Sequence, residues 1–167
     1  MIRPERAGDE DAIRLVETAA FGRELEARIV DDVRESPAFI PDLSLVAEDD
    51  GSVVGHVLIS RGRVEPSGEP IFLLGPIGVV PERQGEGIGR ALMEAALNGA
   101  RRLGAPCVAL IGDPALYERF GFVQAEPIGV RPPAGWPSRP FQIAVLDDDV
   151  ELPQGRVAFS DAFPDPD

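Results

Sequence analysis

A ten-residue apolar run, Ile71 to Val80, passes directly into Pro81-Glu82-Arg83-Gln84-Gly85-Glu86-Gly87-Ile88-Gly89-Arg90. A run this apolar predicts a central β-strand covered on both faces. Pro81 ends it. From Gly87 the spacing changes to that of a helix, with Ile88, Leu92, Ala95, Ala96 and Leu103 near one face and Gly104 at the C-terminal cap. A strand, a glycine turn and a helix in that order confine the chain to a mixed α/β architecture. The run contains Pro and Gly and is too short to span a bilayer.

Three glycines at alternate positions leave backbone N–H groups uncovered by side chains. Successive N–H groups in a turn form a concavity for anions. The helix behind them aims its positive end at the same place. Arg83 and Arg90 add guanidinium groups suited to phosphate. The turn therefore reads as a pyrophosphate cradle, although the same glycines would also serve a tight turn with no ligand. Two better-known phosphate loops do not fit. All 16 basic residues are Arg, so the Gly-Lys-Ser/Thr of a Walker loop is absent. Arg90 stands where a dinucleotide fingerprint needs its third glycine.

Pro76 lies inside the apolar run. Proline cannot donate to a ladder, so it marks an edge or a bulge, and the apolar pattern argues against an edge. A bulge would splay this strand from the next predicted one, Val108 to Ile111, and leave backbone groups free in a cleft. An extended, amide-bearing ligand can pair there as a false strand. Strand, cradle and helix thus suit a ligand with a pyrophosphate at one end and a peptide-like arm at the other; coenzyme A is such a ligand.

The rest of the chain alternates helices and strands. Asp9 or Asp11 is the expected cap of a helix bearing Ile13, Val16 and Ala20. A second helix runs from about Glu24 with Leu25, Ile29 and Val33 on one face, and Pro37 stops it. Ser44–Glu48 and Val53–Arg63 read as a hairpin around Asp49-Asp50-Gly51. Pro114 to Phe120 reads as a short helix, and Arg131 to Pro140 as a proline-rich loop before a late strand, Phe141 to Leu146. Residues 147–167 read as an acidic, loosely packed tail whose Arg156–Phe159 can add an edge strand. The remainder, 1–146, reads as one domain.

Charge narrows the partners. The formal net charge is −13, from 29 acids and 16 Arg. Residues 51–146 carry a net of about +1, whereas both flanks are strongly acidic. A chain this acidic repels polyphosphate, so nucleic-acid binding is not expected. One Cys and one His exclude a disulfide framework and argue against a zinc site; no metal is expected. The opening residues read as carrying no signal peptide, and the chain reads as cytoplasmic and not membrane-bound.

Gln84-x-x-Gly87-x-Gly89 resembles the Gln/Arg-x-x-Gly-x-Gly/Ala signature of the GCN5-related N-acetyltransferase (GNAT) superfamily, and it follows the expected strand. Leu74-Gly75-Pro76-Ile77-Gly78-Val79-Val80-Pro81 resembles that superfamily in context. Gly112-Asp113-Pro114-x-x-Tyr117-x-Arg119-Phe120-Gly121-Phe122 resembles its later strand–helix–strand motif. Ala20-Phe21-Gly22-Arg23 and Val54-Gly55-His56-Val57 are similar to the YhbS-like subgroup of predicted acetyltransferases. The resemblance spans roughly residues 1–146. It implies a mixed, mostly antiparallel central sheet flanked by helices, with a bulged central strand splayed from its neighbour. It implies that backbone groups of Ile77 and Val79 pair with the pantetheine arm of acetyl-CoA. It also implies that N–H groups of Gln84, Gly85, Gly87, Ile88, Gly89 and Arg90 hold the pyrophosphate. Tyr117, the only Tyr, takes the position of a general acid on the departing thiolate.

The activity so implied is direct transfer of acetyl from acetyl-CoA to a primary amine of a small molecule or protein. An alkylammonium must lose a proton first. The central strand offers no Glu for that, so Glu24, at the start of the second helix, is the candidate carboxylate. His56 reads as a hydrogen-bonded structural residue, Asp113 as a helix cap, and Cys107 as plain core. Trp136 either closes over a substrate or packs on the sheet. The alternative function is an acyl-CoA-binding sensor or structural module without turnover. A late edge strand would allow a homodimer.

Overall fold

The computed structural model describes residues 1–163; the last four residues of the acidic tail, 164–167, lie outside the described residues. The strands are β1 (Ile2–Pro4), β2 (Ser44–Asp49), β3 (Ser52–Glu65), β4 (Glu69–Val79), β5 (Cys107–Ile111), β6 (Phe122–Gln124), β7 (Val130–Arg131), β8 (Phe141–Val145) and β9 (Gly155–Ala158). The helices are α1 (Glu10–Phe21), α2 (Leu25–Arg34), α3 (Ile88–Arg102) and the single turn α4 (Pro114–Tyr117), which continues as a 3-10 turn over Glu118–Phe120. The sheet runs β1-β2-β3-β4-β5-β8-β6, with β9 paired to β3 and β7. Among the described residues only β4–β5 and β7–β9 are parallel. The apolar run is thus the middle strand, as its composition requires.

Alternation along the strands sorts the core into layers. Leu45, Ala47, Val57 and Ile59 meet Leu92, Met93, Ala96, Leu97 and Ala100 of α3 on one face. Val46 and Leu58 meet Ile13, Val30 and Val33 of α1 and α2 on the other. Cys107, Ala109, Ile143 and Val157 form a third cluster farther along the sheet. Burial pushes the Cys107 thiol up to about 11, which keeps it a neutral core residue.

Three details differ from the periodicity reading. The core face of α2 is Ala27, Val30 and Val33; Leu25 is exposed and Ile29 only half-buried. Leu103 is exposed rather than part of the α3 stripe, since α3 ends at Arg102. Asp9 precedes α1 but makes no side-chain cap. Its carboxylate instead receives the Arg3 guanidinium and the Arg6 N–H. The tail returns to the sheet: Arg63, Val64 and Glu65 of β3 pair with Ala158, Val157 and Arg156.

The polar residues on the α1 side of the sheet form one buried chain. Glu17 and His56 are both fully buried, and the His56 Nδ1 to Glu17 Oε1 distance is 2.6 Å. The other ring nitrogen lies 2.9 Å from Ser44 Oγ. Ser44 donates to Glu5, which pairs with Arg34 of α2 at 2.6 Å. Burial raises the Glu17 carboxyl above its ordinary value, opposed by the hydrogen bond to His56. Glu17 Oε2 has no partner and sits against β4, where a Cβ on Gly78 would lie 2.8 Å from it. Gly78 is therefore glycine because α1 rests directly on the strand. This chain locks α1 and α2 onto β2, β3 and β4. Removing one member strands its partner in an apolar interior, which costs about 3–5 kcal/mol. Glu17→Ala is expected to lose stability of that order in urea unfolding followed by Trp136 fluorescence; a loss below about 1 kcal/mol would contradict this role.

Candidate functional site

Pro76 interrupts both ladders of β4. On the β3 side the register shifts between the pairs Val57–Ile77 and Ile59–Leu74, so two residues of β4, Gly75 and Pro76, oppose the single Leu58. That is a bulge. On the β5 side the parallel pairing consists of Phe72–Val108 and Leu73–Ala109, and stops there. Gly75 takes φ +139°, a conformation that favours glycine. Beyond it, β4 and β5 diverge and open a cleft.

The orientation of β4 in that cleft follows from one bond. Val80 N–H donates to Val54 C=O on β3 at 3.0 Å. Antiparallel alternation then directs Gly78 toward β3 as well, and turns the backbone groups of Ile77 and Val79 away from it, into the cleft. Val79 C=O accepts from Gln84 Nε2 at 3.0 Å. The Gln84 side chain thus pins the glycine turn to the strand end, which leaves its backbone to face the cleft.

Gly85 and Gly87 sit at φ +82° and +88°, and a Cβ on either would meet open space. Conformation, not crowding, requires glycine at both. The N-terminus of the 15-residue α3 has no side-chain cap and no acid in its first turn. The first helical bond runs from Ala91 N–H to Gly87 C=O, so the N–H groups of Ile88, Gly89 and Arg90 have no intrahelical partner. All the residues expected to hold the ligand, Ile77, Val79, Gln84, Gly85, Gly87, Ile88, Gly89 and Arg90, line one cavity of about 580 Å³. Arg83 lines it too, paired with Asp49 at 2.8 Å and Glu86 at 2.7 Å; Arg90 pairs with Glu94 at 2.9 Å. Such exposed pairs hold weakly and exchange readily for a bound anion.

A second cavity, about 380 Å³, lies at the other end of the cleft. It is roofed by the α1–α2 turn and walled by Trp136, Phe141, Phe159 and Phe163. The two cavities share two lining residues, Ile77 and Tyr117. Tyr117 therefore stands where the cleft joins the second cavity. Asp113 caps α4 through Ala115 N–H at 3.0 Å and starts the turn that carries Tyr117. The Tyr117 ring packs edge-on to Phe122 and sets its Cε2 edge against Gly112, where a Cβ would lie 2.4 Å from that atom. Burial, and then the charge of Asp113, raise the Tyr117 phenol above its ordinary value, so it keeps its proton at neutral pH.

The structure does not bring Glu24 to either cavity. It precedes α2 on the outer surface and pairs with Arg28 at 3.0 Å. Two residues on, Glu26 lines the second cavity instead, with its carboxylate paired to Arg23 at 2.5 Å. His56 lines neither cavity and is held in the buried chain. Glu26 is a functional candidate that the sequence reading passed over; Gly112 and Arg119 enter it only as motif residues, without a role. Glu26 falls on the inner side of the helix phase, Gly112 is one of 18 glycines, and Arg119 lines the first cavity from the 3-10 turn after α4. Among the described residues no cluster of three or more His, Cys, Asp or Glu could hold a metal, and no helix is long and apolar enough to cross a membrane.

Comparison with known proteins bears on this geometry. A family model described as an acetyltransferase (GNAT) domain matches residues 41–124. The chain is 36% identical over 154 residues to YhbS of Escherichia coli K12, named an uncharacterized N-acetyltransferase, covering 89% of each. It is 37% identical to YjhQ of the same organism, spanning 68% of this chain and 64% of YjhQ. The crystal structure of E. coli YhbS in complex with CoA matches with a TM-score of 0.89 at 32% identity, covering 97% of this chain and 90% of that one. A GNAT family acetyltransferase from Brucella melitensis in complex with acetyl-CoA matches with a TM-score of 0.82 at 37% identity, covering 98% and 97%. With the signature, the bulged strand and the fold agreeing over nearly its whole length, this chain belongs to the GNAT acetyltransferase family.

Proposed function

We propose that the chain transfers acetyl from acetyl-CoA directly to a primary amine, with Tyr117 as general acid. The observation that carries this is the junction: one cleft with peptide-pairing and anion-binding backbone runs into a second cavity, and Ile77 and Tyr117 stand between them. The residues present fit the co-substrate. Ile77 and Val79 offer backbone groups to an amide-bearing arm. The α3 N-terminus with Gly85 and Gly87 suits a pyrophosphate, and the first turn of α3 holds no acid.

The chemistry asked of the protein is then limited. A neutral amine attacks the thioester carbonyl, the new C–N bond forms, and the C–S bond breaks. The N–H of Ile77, beside the bulge, is placed to donate to the oxyanion as charge develops there. The alkylammonium gives one proton to solvent before attack and the nitrogen gives up a second as the amide forms; Tyr117 gives its own proton to the departing thiolate and recovers one from solvent. Its raised pKa is suited to this role, because the phenol remains an acid throughout the working range.

Three outcomes follow. Calorimetric titration with acetyl-CoA is expected to give saturable one-to-one binding, and Gly87→Val, forced to φ +88°, is expected to weaken it about tenfold or more. Wild-type affinity in that variant would contradict the cradle. Tyr117→Phe is expected to bind acetyl-CoA normally while kcat falls about 100-fold or more; an unchanged kcat would remove Tyr117 from the chemistry. Because burial and the charge of Asp113 raise the phenol above its ordinary value, the alkaline limb of kcat assigned to it is expected to lie above the ordinary phenol range and to disappear in Tyr117→Phe.

A further inference from the structure

The second cavity has a composition that the transfer reaction alone does not explain. Six of the chain's ten aromatic residues line it. Trp136, from the proline-rich loop, meets Phe159 edge-on with ring centroids 5.6 Å apart. Phe159 meets Phe163 at 5.2 Å. The tail beyond β9 thus supplies one wall, and Phe141 of β8 another. Among the described residues the charged side chains in the lining are Arg23 and Glu26, which pair with each other.

We propose that this cavity receives the hydrocarbon part of an apolar primary monoamine, of the arylalkyl or alkyl class, with its nitrogen held at Glu26. The proposal rests on the N-acetyltransferase reading and names its acceptor. A carboxylate has four acceptor positions, so Glu26 accepts from an ammonium without releasing Arg23. An aromatic wall favours a ring or a chain and adds cation–π attraction for a nitrogen near it. A polyamine or a basic peptide would have to place further cations against Phe and Trp, with Glu26 the one carboxylate among the described lining residues, which desolvation opposes. A long acyl chain would fill the aromatic part but leave the Arg23–Glu26 pair at the rim without a role. The net charge of −13 would draw cations in general; the cavity selects among them.

The test uses the full chain and two readouts. The first is calorimetric titration of 2-phenylethylamine into protein saturated with desulfo-CoA. The second is thiol release from acetyl-CoA with 2-phenylethylamine, ethanolamine and spermidine. Saturable binding is expected, with kcat/KM for 2-phenylethylamine at least about tenfold above that for ethanolamine, the effect of burying one ring. Trp136→Ala and, independently, Phe159→Ala are expected to narrow that ratio about tenfold. Spermidine as the better acceptor, an unchanged ratio in both variants, or octanoyl-CoA used in preference to acetyl-CoA and blocking 2-phenylethylamine binding would each overturn the proposal. Turnover of polar amines without 2-phenylethylamine binding would overturn it and leave the transfer reaction standing. Binding without turnover of any amine would do the reverse.

Discussion

The site exists because β4 stops pairing with β5 after Leu73–Ala109. A central strand flanked on both sides normally spends every backbone group on its neighbours. Here Pro76 has no N–H to give, and the bulge at Gly75-Pro76 turns the strand out of register with β3 by one residue. The next residues, Ile77 and Val79, therefore face a gap instead of a partner. Everything the site needs follows from that gap: polar backbone in a sheltered cleft, a strand end that delivers the glycine turn to α3, and room for Tyr117 to approach from β5.

Two supports hold the gap open. On the α1 face, the buried chain from Glu17 through His56 and Ser44 to Glu5 and Arg34 ties both early helices to the sheet. It brings Glu17 against Gly78, one residue from Ile77, and so fixes the α1–α2 turn above the second cavity. On the β5 side, Gly112 leaves room for the edge of the Tyr117 ring against the backbone, with Asp113 capping the turn that presents it. These contacts do not touch the cleft's polar groups. They set the distance between its walls, which is what a bound acetyl thioester and an incoming amine require.

The parts of this arrangement that were legible in the sequence are those written in backbone chemistry. Pro76 in an apolar run, and glycines at positions 85, 87 and 89, carry their meaning locally, because φ and N–H availability are properties of the residue itself. The parts that were not legible depend on which way a helix turns or where the chain returns. Glu17 follows Ile13 by four residues and so shares its buried stripe, a signal that points to a buried acid but not to its partner His56. Along α2, Leu25 and Ile29 form an apolar stripe beside Ala27, Val30 and Val33. Periodicity alone does not tell which one is core and which lines a cavity, so Glu24 stands out for its place at the start of the helix and Glu26 does not come into view. Phe159 and Phe163 enter the second cavity only because β9 pairs with β3 across about a hundred residues of sequence, a contact with no local trace.

The measurement that tests the central claim most directly is residue-resolved amide hydrogen exchange with and without acetyl-CoA. Gly78 and Val80 face β3, and their amides are expected to be protected in both states. Ile77 and Val79 face the cleft, and theirs are expected to exchange freely alone and become protected in the complex. Protection of Ile77 and Val79 before acetyl-CoA is added, or no change at them when it binds, would contradict the account of the cleft as the co-substrate's strand partner.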